Sequence, residues 1–90
     1  MISRSATYAI RALAFMAAGH GTGWLLNRDI AAEVALPPQF LTKILCVLAA
    51  EGILLSQRGR SGGFRLARPA NRITLLEIID PFDRLSDRRT

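Results

Sequence analysis

The chain has 90 residues, half of them hydrophobic, and twelve Lys and Arg against seven Asp and Glu give a net charge of +5. That length supplies one hydrophobic core with no room for a second, and that apolar content is not the composition of a disordered chain. A single cysteine, Cys46, and a single histidine, His20, exclude an intrachain disulfide and a zinc or iron–sulfur site made by this sequence alone.

Residues 3–19, SRSATYAIRALAFMAAG, are rich in Ala and Leu and contain no Pro. They predict a first helix, with Ser3 or Ser5 as its cap and Gly19 or Gly21 at its end. Arg11 interrupts the apolar run, so it is neither a membrane span nor a signal peptide. A cytoplasmic chain without a membrane partner is therefore expected. HGTG at 20–23 reads as a loop, with His20 a solvated residue beyond the helix. Trp24, Leu25 and Leu26 suffice only for a short strand. Asn27 is expected to cap a second helix, RDIAAEVA, with Asp29 in its first turn.

Pro37 and Pro38 close that helix and open a third, from about Pro38 to Glu51, with Gly52 as its stop. ILLSQR at 53–58 and FRLAR at 64–68 read as two strands joined by the turn GRSGG. Thr74 and Glu77 form a capping box in TLLE, which starts a short fourth helix that Pro81 breaks or ends. The expected fold class is mainly α (α+β): a winged helix-turn-helix, with a three-helix core, a two-stranded hairpin wing and a short C-terminal helix. Residues 1–80 form the DNA-binding domain in this reading, and 81–90 a short tail.

The charge is unevenly spread. Arg58, Arg60, Arg65, Arg68 and Arg72 against Glu51 give residues 51–72 a charge of +4, most of the surplus. Eleven of the twelve basic residues are Arg, whose forked guanidinium suits phosphate and guanine. On a wheel of about 100° per residue, Ile44, Leu45 and Leu48 fall within roughly 60° of Leu41 and form a core stripe. Gln39, Thr42, Lys43, Cys46 and Ala50 take the opposite face. Small and hydrogen-bonding side chains there can enter a major groove, with Gln39, Thr42 and Lys43 nearest the helix start. A plain solvent face has the same pattern, and the basic hairpin beside it is what favours the groove. Gly59, Gly62 and Gly63 allow a sharp turn and a close approach, while Arg58, Arg60 and Arg65 supply donors for a phosphate backbone or minor groove. Tyr8 and Arg11, three apart on the first helix, are within reach of phosphate, although Tyr8 fits the core equally well. Arg28 at the second helix and Ser61 in the turn complete the basic surface. No set of carboxylates or nucleophiles forms a catalytic constellation, so the chain is not read as an enzyme.

The stretches SATYAIRALAFMA, DIAAEVALPPQFLTKIL, GILLSQRGRSGGFRLARP and ITLLEII resemble the Rrf-two family of bacterial winged-helix transcription regulators. That group includes iron–sulfur-cluster, cysteine-metabolism and nitric-oxide sensors. The resemblance covers residues 3–80, and the wing is its most specific part. It implies a dimeric DNA-binding repressor or activator. The contacts it implies are Ser3, Arg4 and Tyr8 in the first helix, Pro38, Gln39, Phe40, Thr42 and Lys43 in the third, and Arg58 to Gly63 in the wing. Members of the family usually continue through a three-cysteine loop and a long dimerisation helix. This sequence ends at Thr90 without them, so no cluster or other cofactor bound by this chain is expected. The chain is read as a naturally short member, as a DNA-binding fragment of a longer one, or as a protein that pairs with a copy or a longer homologue through another surface such as the first helix or the tail. The alternative is a protein-interaction module that pairs with a full-length regulator and modulates it.

Overall fold

The computed structural model describes residues 2–19, 23–58 and 63–87. His20, the wing residues Gly59, Arg60, Ser61 and Gly62, and the last three residues lie outside the described residues. In chain order the elements are α1 (Arg4–Gly19), α2 (Asn27–Val34), α3 (Pro38–Ala50), β1 (Leu54–Gln57), β2 (Gly63–Leu66), a 3-10 turn (Ala70–Arg72) and α4 (Leu75–Asp87). Four helices and one antiparallel hairpin make the mainly helical winged-helix arrangement expected from the sequence.

Ser3 starts α1: its Oγ accepts the Ala6 amide at 3.1 Å. The helix buries Ala6, Ala9, Leu13 and Met16, spaced three and four apart. Three of its buried residues are alanines, so α2 and α3 can pack close against its backbone. The face predicted for α3 is the buried one, with Leu41, Ile44, Leu45 and Leu48 at 2 % exposure or less.

The turn between α2 and α3 is carried by Ala35, whose φ of 58° and ψ of 48° are left-handed. The Ala35 and Leu36 amides both donate to the Ala31 carbonyl and close the end of α2. Pro37 and Pro38 then start α3, which is bent 109° from α2. Asn27 does not cap α2. It is the first helical residue, Leu26 takes the cap position without a side-chain bond, and the Asn27 Nδ2 donates to the Pro38 carbonyl at 3.1 Å instead. A tertiary acceptor outcompetes the local one.

Leu54 pairs with Leu66 and Gln57 with Gly63, so residues 58–62 connect the strands. Leu25 adds a rung on the other edge of β2 through reciprocal bonds with Phe64, at 2.8 and 2.9 Å. Gly63 makes this rung possible. Its φ is +139°, and a Cβ there would collide with the Leu25 carbonyl oxygen.

The capping box forms as predicted: the Thr74 amide donates to Glu77 Oε2 at 2.8 Å and the Glu77 amide to Thr74 Oγ1 at 3.2 Å. Pro81 does not end α4, which continues to Asp87. An interior proline removes one helical hydrogen bond and costs about 3 kcal/mol. Burial offsets that cost: Pro81 and Phe82 are both buried, in a helix that packs on α1 and α3. Among the described residues no single helix is long and apolar enough to cross a membrane.

Candidate nucleic-acid interface

The outer face of α3 carries Gln39, Lys43, Cys46 and Ala50, all exposed, with Thr42 half-buried beside them. The Thr42 Oγ1 donates back to the Pro38 carbonyl at 2.8 Å. That oxygen also accepts from Asn27, so the first turn of α3 is tied both to its own helix and to the start of α2.

A second set of contacts fixes the same turn from α1. Phe40 packs edge-on against Tyr8, with ring centroids 5.7 Å apart and planes at 87°. The Arg11 guanidinium stands 5.8 Å from the Tyr8 ring, and its Nη2 donates to the Val34 carbonyl at 3.0 Å. Arg11 therefore closes the C-terminus of α2, where a cation suits the helix dipole. The family resemblance implies DNA contacts for Tyr8 and Phe40, and on sequence alone Tyr8 fits the core equally well. Their rings face each other, and both are half-buried against the core. Arg4 and Pro38 are exposed, and Ser3 is engaged as the α1 cap. Arg28 is exposed at the start of α2, with the Asp29 carboxylate 3.9 Å away. Two such exposed groups attract each other weakly, and Arg28 remains available to an anion.

The five arginines of residues 51–72 are not equivalent. Arg58 is exposed at the end of β1. Arg68 is neutralised, its Nη1 lying 3.0 Å from Glu77 Oε1 and donating also to the Arg72 carbonyl. The Glu77 carboxyl is held below its ordinary range, first by the Thr74 amide and then by Arg68. Arg65, on β2, lies over the Trp24 ring with its guanidinium carbon 4.8 Å from the centroid. Its Nε is buried and without a hydrogen bond.

Two features of this surface had no local signal. Arg11 and Val34 are 23 residues apart, and no periodic pattern links them. Trp24 sits in a stretch that reads as a short strand with no assigned partner, and Arg65 belongs to another element. A cross-strand register between residues 24–26 and the wing is the one sequence inference that would have joined them.

A model of the Rrf2 family, described as an iron-dependent transcriptional regulator, matches residues 2–87. The candidate HTH-type transcriptional regulator Rv1287 of Mycobacterium tuberculosis is 37 % identical over 82 residues, which are 91 % of this chain and 51 % of that protein. Protein aau3 of Rhizobium meliloti is 39 % identical over 80 residues, 87 % of this chain and 50 % of its own length. The chain thus spans about half the length of these relatives. Among solved structures, CymR, the global cysteine regulator of B. subtilis, superposes with a TM-score of 0.82 at 28 % identity, over 90 % of this chain and 63 % of that one. IscR of T. potens gives 0.79 at 30 % identity, over 90 % and 59 %. The family description names iron, but one thiol and one imidazole do not make an iron site, and no group of three or more His, Cys, Asp or Glu is placed to hold a metal among the described residues. A match across nearly the whole sequence, with a helix-turn-helix and hairpin of the same shape, identifies this chain as a member of the Rrf2 family of transcription regulators.

Proposed function

We propose that the chain is the DNA-reading module of a cytoplasmic transcription regulator and binds double-stranded DNA with sequence preference. In this reading α3 enters the major groove, with Gln39, Thr42 and Lys43 toward base edges. Arg58, Arg60 and the glycines between and after them lie along the backbone or minor groove. Ser3, Arg4 and Arg28 add contacts to phosphate. The observation that carries the proposal is the first turn of α3: a short polar face, held rigid from behind by Asn27, Tyr8 and Arg11, next to a hairpin with an exposed arginine. Such preorganisation suits a surface that must match a fixed array of donors and acceptors. Family membership and the likeness to CymR and IscR support the same reading.

Selection from a random duplex library, followed by anisotropy titration of the enriched sequence, tests it. Arg58→Ala and Arg60→Ala should weaken binding and each lower the salt slope by about 0.9, the value for one lost phosphate contact. Lys43→Ala and Gln39→Ala should relax the selected sequence more than they weaken non-specific binding. Arginine variants that bind like the parent would remove the wing from the interface.

A second reading, pairing with another copy or with a longer homologue, is favoured by a separate surface. Ile10, Ala14, Ala17, Leu66, Ile73 and Ile78 line an apolar groove, and Leu75 and Leu76 at the start of α4 are 60 % and 73 % exposed. Sedimentation of the chain alone and with a duplex reports both readings in one experiment.

A further inference from the structure

The outer face of the sheet carries a row of three side chains. Antiparallel pairing of Leu25 with Phe64 places Trp24 opposite Arg65, and the hairpin register places Leu55 opposite Arg65 from the other side. Trp24 and Leu55 are 37 % and 42 % exposed, and Arg65 lies between them. The guanidinium covers the indole at 4.8 Å, and the Nε is shielded from solvent without a hydrogen-bond partner. Arg65 makes no ion pair among the described residues. A cation held over an indole, with no carboxylate paired to it among the described residues, keeps N–H donors for an anion and loses little entropy on meeting one.

We infer that Trp24 is a positioning residue for duplex binding: it holds Arg65 so that its terminal N–H groups meet a phosphate flanking the wing. The inference rests on the DNA-binding reading above and adds a contact at the root of the hairpin, away from its tip. The partner is the backbone of double-stranded DNA because the segment around Arg65 carries the chain's charge surplus. Trp24 acts through Arg65 and needs no contact with DNA itself.

A mixed-sequence duplex of about 30 base pairs, titrated by anisotropy across a salt series, is the probe. Arg65→Ala should weaken binding about 3- to 10-fold and lower the salt slope by about 0.9. Trp24→Ala should cause a similar loss alone and no further loss in the Arg65→Ala background, while Trp24→Phe should keep most of the affinity. Trp24 is the chain's single tryptophan, so its fluorescence reports the stack directly. In the parent its emission should change with the same midpoint as the anisotropy, and in Arg65→Ala that change should vanish. Thermal melts of each variant check folding, and Trp24→Phe with Arg65→Gln carries the test if Trp24→Ala melts early. If both positions can be changed without effect while Arg58→Ala weakens binding, the wing reading stands and the role of Trp24 falls. Changes in solution mass with unaltered DNA affinity would make the row a protein contact and overturn the inference. A parent that binds no duplex overturns the DNA reading itself.

Discussion

The first turn of α3 is held from several directions: by the buried stripe from Leu41 to Leu48 beneath it, by Asn27 and Thr42 on the Pro38 carbonyl, and by the Tyr8 ring and Arg11 behind it. The base of the hairpin is held by its own ladder, by the bridge to Leu25 and by Leu54 and Phe64 in the core, while its outer face carries one stacked arginine. In the proposed DNA-binding mode the two regions divide the labour of one surface. One fixes a shape, which needs dense packing and full hydrogen bonding. The other concentrates like charges, which repel and cannot be packed tightly.

The sharpest way to break this contrast is to damage each region separately. Leu45→Ala should destabilise the whole domain by about 2–5 kcal/mol, because the site is fully buried beneath α3 and leaves a cavity. Chemical denaturation should show a lower midpoint with an unchanged slope. Gly63→Ala should cost about 1–3 kcal/mol and act locally, since it sets a strained φ and a side chain against the Leu25 carbonyl. Amide exchange should lose protection at Leu25 and Phe64 while α1 and α3 keep theirs; loss at both together would mean that the two regions unfold as one.

Smaller changes sharpen the contrast. Ala35→Gly should stabilise the helical half by about 1 kcal/mol, because a residue with a Cβ holds the left-handed turn at a steric cost. A melting temperature that does not rise would show that the added freedom of the unfolded chain cancels the relief. The smallest effect concerns acid. Glu77 is depressed in the folded state, so the folded chain binds this proton more weakly than the unfolded chain does. Its contribution is fully present above the ordinary carboxylate pKa and is lost as pH falls through the lowered value. Glu77→Gln should remove that part of the acid dependence of melting and leave the neutral-pH fold intact.

Much of the fold was legible because it obeys local periodicity. The 3.6-residue spacing of Leu41, Ile44, Leu45 and Leu48 identified the buried side of α3 and therefore its outer face. TLLE gave the start of α4, and the glycine-rich turn gave the hairpin. Local rules failed where a distant partner decided the outcome. Pro81 reads as a helix breaker, yet burial of Pro81 and Phe82 carries α4 through it. Asn27 reads as a cap, yet the Pro38 carbonyl takes its amide. Tyr8 and Phe40 read as surface contacts of two helices, and only their proximity in space reveals that they pack on each other. Of the candidate interface, the polar face of α3 and the arginines could be named from sequence, but the stack of Arg65 on Trp24 depends on a rung that a three-residue strand could not announce.

The Leu25–Phe64 rung has a mechanical consequence. Leu25 is two residues from Asn27, and Asn27 grips the Pro38 carbonyl, so the hairpin is linked to the start of α3 as well as, through residues 51–53, to its end. In the proposed DNA-binding mode such a link works as a ruler: the interval between a groove entered by α3 and a strand met by the hairpin would be set by the protein before contact. A duplex out of step with that interval would have to bend or twist to be read.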